Sequence, residues 1–133
     1  MLKIKQAFTQ SFIDQGFFHL DQIAHENISF TPENGTPYAE ISVITNDKTP
    51  FTVDDADETD GIFRVILRYP ENTGSIQAGQ KADKILNFYK IGSRIHYENV
   101  NVIMTRQSLA AGVSEAGWHK LVLTINYRTF LRR

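Results

Sequence analysis

The chain has 133 residues, a formal net charge of −1, 41% apolar and 22% charged residues, and no cysteine. At this length folding buries about two-thirds of the unfolded surface, enough for one domain with a core of its own. Lack of cysteine excludes disulfides, cysteine-ligated zinc and thiol catalysis; near-zero net charge gives no basic excess for binding phosphate backbones; no apolar run is long enough to span a bilayer. The opening MLKIKQAFTQSF has Gln and Thr where a signal peptide needs unbroken apolar sequence, so the expectation is a chain kept inside the cell.

In chain order, Ile4, Phe8 and Phe12 recur every four residues beside Ala7, with Lys3, Lys5 and Asp14 off that stripe, until Gly16; this predicts an amphipathic helix. NISFTPENGTP then reads as a loop, and YAEISVIT as a strand with Ala39, Ile41 and Val43 on one face. VDDADETDG, Val53–Gly61, holds five carboxylates in nine positions, which predicts an exposed, mobile excursion ending at Gly61. IFRVILRY follows as the longest strand signal, with Phe63, Val65, Leu67 and Tyr69 on one face, stopped by Pro70 and turned by Gly74. Ser75 can cap a second helix whose Ala78, Ala82, Ile85, Leu86 and Tyr89 share a face before Gly92. Three β-rich runs close the chain, RIHY, VNVIM and WHKLVLTINYRTF, broken at Glu98–Asn99 and across the small, polar stretch Gln107–Gly117. The order helix, strand, strand, helix, three strands predicts a single α+β domain, residues 1–133, with a mostly antiparallel β-sheet packed against two α-helices.

Sites for chemistry are sought and not found. Read from Asp55, the acidic run puts Asp60 where a calcium loop of the EF-hand type needs glycine and Ile66 where it needs the bidentate glutamate. The glycines form neither GxGxxG nor GxxxxGK, and His25–Glu26 begins an HExxH pattern that fails at Ser29. His19, His25, His96 and His119 are scattered, and no glycine elbow presents a nucleophilic serine. Asn27-Ile28-Ser29 and Asn34-Gly35-Thr36 match the glycosylation sequon, which a chain inside the cell does not present to that machinery. The expectation is no catalytic residue, no cofactor and no metal.

Four motifs in order carry a resemblance. Glu26, Asn27, Phe30 and Pro32 match an aromatic-E-N then F-x-P pattern, with His25 in the aromatic place; Gly61, Ile62, Arg64, Val65, Pro70 and Gly74 match a strand followed by a P-x-x-x-G turn. Ala82, Asp83 and Ile85 match an A-D-x-I/L helix signature, and Trp118 a tryptophan before the last strand. Together they resemble the tail terminator-like proteins of long-tailed bacteriophages, over most of the chain. The resemblance implies a structural protein, commonly a ring of six subunits, that caps the tail tube, stops its growth and joins it to the head-neck protein. It also implies that DNA passes through the lumen without specific binding, that no membrane is involved, and that the protein is found in the virion after assembly in the host cytoplasm. Head-completion or stopper proteins, a small metal-dependent enzyme using the acidic run, and a nucleic-acid-binding module are the competing readings.

For the residues themselves the reading is structural: Asn27 suits a turn, Phe30 enters the core, Pro32 ends an extended piece, Gly61 and Gly74 let the chain turn, and Trp118 anchors the core. A closed ring needs two unlike patches that fit each other. The candidates are a negative patch of Asp54, Asp55, Asp57, Glu58 and Asp60 and a positive one of Lys120, Arg128, Arg132 and Arg133. The alternative use of the carboxylates is to line the ring's opening, where they repel DNA phosphates.

Overall fold

The computed structural model describes residues 2–26, 28, 30–31, 35–46, 49–50, 56–71, 75–98, 100–115 and 117–132. Among them are two helices, α1 (Leu2–Asp14) and α2 (Ser75–Phe88), and seven strands: β1 (Ile23–His25), β2 (Tyr38–Thr45), β3 (Thr49–Pro50), β4 (Ala56–Pro70), β5 (Arg94–Tyr97), β6 (Val100–Glu115) and β7 (Trp118–Arg132). The strands form one sheet in the order β1-β2-β4-β7-β6-β5, with β3 also on β4. Only the β1–β2 pair is parallel. The predicted α+β class holds.

Both helices lie on one face of the sheet, and the core is what the two periodicities bury between them. Ile4, Ala7, Phe8 and Phe12 of α1 and Ala78, Ala82, Ile85 of α2 with Tyr89 meet Phe63, Val65 and Leu67 of β4. The centre is aromatic: Phe8 stacks on Phe63 with centroids 4.6 Å apart, and Phe63 meets Tyr89 edge-on at 5.3 Å. Such ring geometry adds about 0.5–1.5 kcal/mol per pair beyond the area it buries. Tyr89 is fully buried, and its hydroxyl is 2.7 Å from Ser11 Oγ, so its polar end is satisfied inside the core. Burial raises the Tyr89 phenol, opposed in part by that hydrogen bond. Tying the second helix down, Gln107 Nε2 donates to the carbonyls of Leu86 and Tyr89 at its C-terminal end.

Several local expectations are corrected. The acidic run is not a loop throughout: Ala56–Asp60 is the first third of β4, paired with β7 from Ala56↔Arg132 to Asp60↔Arg128 and with β3 at Asp57 and Glu58. Thr59 is only 2% exposed, its Oγ1 donating to the Asn46 carbonyl at 3.0 Å, while Asp60 faces out. Alternation with threonine and alanine, and Arg128 across the ladder, make the segment a usable strand despite its charge. The rest of the expected excursion, Val53–Asp55, lies outside the described residues.

The stretch expected to break before the last strand is instead strand: β6 runs through to Glu115, with register irregularities between Met104 and Arg106 and between Ala110 and Val113. Pairing with β7 overrides the weak strand preference of serine, alanine and glycine, and the irregularities absorb the misfit. The second helix stops at Phe88, short of Gly92. Gly92, at φ +86°, instead serves the turn into β5 and donates its N–H to the Met104 carbonyl at 2.8 Å. The Glu98 break is as expected: Tyr97 pairs with Val100, leaving a two-residue loop that begins with Glu98 at φ +53°.

Candidate assembly interface

The motif residues sort into three structural jobs. Glu26 finishes an edge: β1 pairs with β2 only as far as His25↔Ile41, and just beyond it the Val43 N–H donates to Glu26 Oε1 at 2.6 Å. A carboxylate thus takes the place of a further β1 residue and closes that stretch of β2 to another strand. Lys5 Nζ lies 3.8 Å from the other oxygen of Glu26. Phe30 and Trp118 form an aromatic bracket on Tyr38, with ring centroids at 5.0 and 5.2 Å. Both are part-exposed, so they clamp the rim of the sheet and do not enter the core as expected. Pro70 pairs with Trp118 at the same rim. Ala82 is fully buried in the core, and Asp83 beside it on α2 is exposed.

Gly61 has a different job from the one predicted. It sits inside β4, outside the positive-φ region, and a Cβ there would come within 2.0 Å of the Ile44 carbonyl oxygen and 2.6 Å of the Tyr127 hydroxyl. Tyr127 crosses over it to donate to that carbonyl at 3.3 Å. Burial, and then the nearby Asp60 carboxylate, raise the Tyr127 phenol. Asn27, Pro32 and Gly74 lie outside the described residues.

The charged candidates fall on adjacent strands of one subunit. Arg128 is the register partner of Asp60, and its Nε lies 3.6 Å from Glu58 Oε1. Asp60 Oδ1 also accepts from Asn46 Nδ2 at 2.6 Å. A groove lined by Glu58, Asp60, Asn126 and Arg128 opens here. Arg132 is paired by its backbone with Ala56, and Asp57 with Leu131 and Pro50. Asp54, Asp55 and Arg133 lie outside the described residues. Lys120 is at the other end of β7, opposite Arg68, about 26 Å from Arg128 along the strand. The structure therefore brings Glu58, Asp60 and Arg128 together and separates Lys120 from them.

Sequence reading missed a second charged region. At the far edge of the sheet, Lys90, Arg94 and Arg106 are exposed and make no ion pair with a carboxylate among the described residues. Backbone bonds gather them: Gly92 and Ser93 both bond Met104, Arg94 pairs with Ile103, and Arg106 follows just after. No local signal marks this set, because its members come from three elements. Among the described residues no group of three or more His, Asp or Glu side chains is placed to hold a metal ion. Among the described residues no helix is long and apolar enough to cross a membrane.

Against known families, the chain matches the model of the phage tail terminator protein over residues 3–127. The chain belongs to the phage tail terminator protein family. Ten chains of solved structures resemble this family member; one has a TM-score of 0.76 at 20% identity, covering 95% of this chain and 92% of the other, which shows a shared fold. No curated protein matches it.

Proposed function

We infer that this chain is a structural tail protein that closes into a ring of six copies on the end of the tail tube, stops tube growth and presents a surface to the head-neck protein. The observation that carries this reading is the family match over residues 3–127. The geometry agrees with it: the motif residues close an edge, bracket a rim and fill the core, which are tasks of a scaffold and not of a catalyst. On this reading the chain is no enzyme and needs no cofactor. It works as one domain in the virion tail after assembly in the host cytoplasm, and DNA passes through the lumen without specific binding.

The test is sedimentation of the purified protein, alone and mixed with tail-tube protein. A species six times the 15.2 kDa of one chain, or its appearance on tube ends, is the expected result. Monomers under both conditions refute the ring, and sedimentation with heads instead of tubes reassigns the chain to the head side of the neck.

A further inference from the structure

The sheet has two unlike lateral edges where the acidic segment ends. There the strands run β3-β4-β7-β6-β5, so β3 and β5 are the two outermost, four strand spacings or about 19 Å apart. A single row crosses this end: Asp60↔Arg128↔Ile103↔Arg94. Register partners share a face, so the row runs from a carboxylate at one side to a guanidinium at the other. On the β3–β4 side, Asp57, Glu58 and Asp60 fall within the first five residues of β4. On the β5 side stand Lys90, Arg94 and Arg106, exposed and without a carboxylate partner among the described residues.

The β5 side is also open to a strand. β5 covers β6 only from Val100 to Ile103, with Met104 bonded to Gly92 and Ser93. Beyond it, among the described residues, no backbone group pairs with the outer edge of Thr105–Glu115. Between the two irregularities, Arg106–Ala110 is a regular ladder of five residues, the length of a typical strand. Residues 107–114, QSLAAGVS, contain neither charge nor proline, the usual guards of an edge, and Leu109 is 44% exposed there. At the opposite side of the sheet, β2 is closed by β1 and the Glu26 carboxylate.

We propose that the β5–β6 edge, with its open ladder and its cationic rim of Lys90, Arg94 and Arg106, is the surface on which each copy receives the acidic β3–β4 edge of a second copy. The proposal rests on the ring reading and gives that ring its contact. Two unlike edges on opposite sides of one sheet make a heterologous contact, the kind whose repetition closes a circle. Arg128 then acts within the subunit, holding Glu58 and the acidic strand end in place, and is not the receiving group.

The experiment is a charge exchange on the full-length chain. One variant carries Lys90→Glu, Arg94→Glu and Arg106→Glu, so both edges are acidic; another carries Asp57→Lys, Glu58→Lys and Asp60→Lys, which leaves three lysines against two carboxylates in the run and makes its β3–β4 edge basic. Circular dichroism confirms that each variant folds. Sedimentation, with tube protein wherever wild type requires it, is expected to show ring yield reduced tenfold or more for either variant alone. An equimolar mixture should recover rings, because alternating subunits restore opposite charges at each contact of an even-numbered ring. Wild-type rings together with unchanged rings from the separate variants overturn the edge assignment and leave the ring reading standing. Loss in both variants without recovery in the mixture overturns the assignment too, and a wild type that never assembles overturns the ring reading with it.

Discussion

Gly61 and Gly79 predict opposite outcomes for one and the same substitution. At Gly61, a methyl group would lie 2.0 Å from the Ile44 carbonyl oxygen and 2.6 and 2.9 Å from the Tyr127 hydroxyl and its ring carbon. The first of these is backbone of the neighbouring strand, so relief requires β2 and β4 to separate at their last pairs, Ile44↔Ile62 and Thr45↔Gly61. Overpacking of this kind costs about 1–3 kcal/mol, and displacing Tyr127 from the Ile44 carbonyl removes a hydrogen bond worth about 0.5–1.5 kcal/mol. Gly61→Ala should therefore destabilise by about 2–4 kcal/mol, a fall in Tm on the order of 10 °C for a chain of this size. At Gly79, inside α2, nothing lies within 4 Å of the added carbon. There Gly79→Ala should stabilise by about 0.5–1 kcal/mol, because alanine removes backbone freedom from the unfolded chain and is the better helix former. Calorimetric or circular-dichroism melting of the two variants beside wild type is the assay. A Gly61→Ala midpoint within about 1 °C of wild type would refute the close approach of β2, β4 and Tyr127.

Three further outcomes follow from the core and the edge. Leu67→Ala, at a fully buried position under both helices, should lose about 2–5 kcal/mol in urea unfolding; a loss below about 0.5 kcal/mol would put that face of β4 in water. Glu26→Ala leaves the Val43 N–H without its acceptor and should cost about 1–2 kcal/mol, whereas Glu26→Gln, which retains a carbonyl oxygen, should cost less; equal losses would remove the edge-closing role. Burial raises the phenols of Tyr69, Tyr89 and Tyr127 above their ordinary 10.0, so as pH climbs past about 10 the unfolded chain ionises first and stability falls. Thermal midpoints that stay level from pH 9 to about 11 would contradict that burial.

The elements written in strong periodicity were legible: Ile4, Phe8 and Phe12 at four-residue spacing, and Phe63, Val65, Leu67 and Tyr69 at spacing two, are buried as their patterns require. Where reading failed, the deciding partner was distant in sequence. Composition alone makes Ala56–Asp60 a solvated loop; Arg128 and Thr129, some seventy residues later, make it a strand. The small residues of 107–114 look like a break until β7 is laid beside them. β1 is three residues long and parallel, too short for any period to register. The candidate interface was half legible. Its acidic side is a contiguous run, but its basic side is assembled from Lys90, Arg94 and Arg106 by the turn and the β5–β6 pairing, and the sequence instead offered the conspicuous terminal arginines, of which Arg128 lies beside Glu58 and Asp60 in the same subunit.

Segregating charge across a sheet has a consequence for which assemblies can form. With a net charge of −1, copies scarcely repel one another at long range, so orientation governs the encounter more than overall charge does. A two-fold contact joins a patch to its own copy, which here would set acidic edge against acidic edge or Lys90, Arg94 and Arg106 against themselves. Like charges meeting in an interface penalise the wrong pairing, while the head-to-tail contact matches opposite signs. In the proposed contact the exposed ion pairs would add little each, about 0–1 kcal/mol, and ladder hydrogen bonds with burial around Leu109 would supply most of the affinity. Added salt should then slow ring closure, since its screening length of about 8–10 Å is shorter than the span of the charged edges, yet leave finished rings largely intact. Rings that dissolve as readily as they are slowed would mean the charges hold the contact together, and would leave the open ladder of β6 without a role in it.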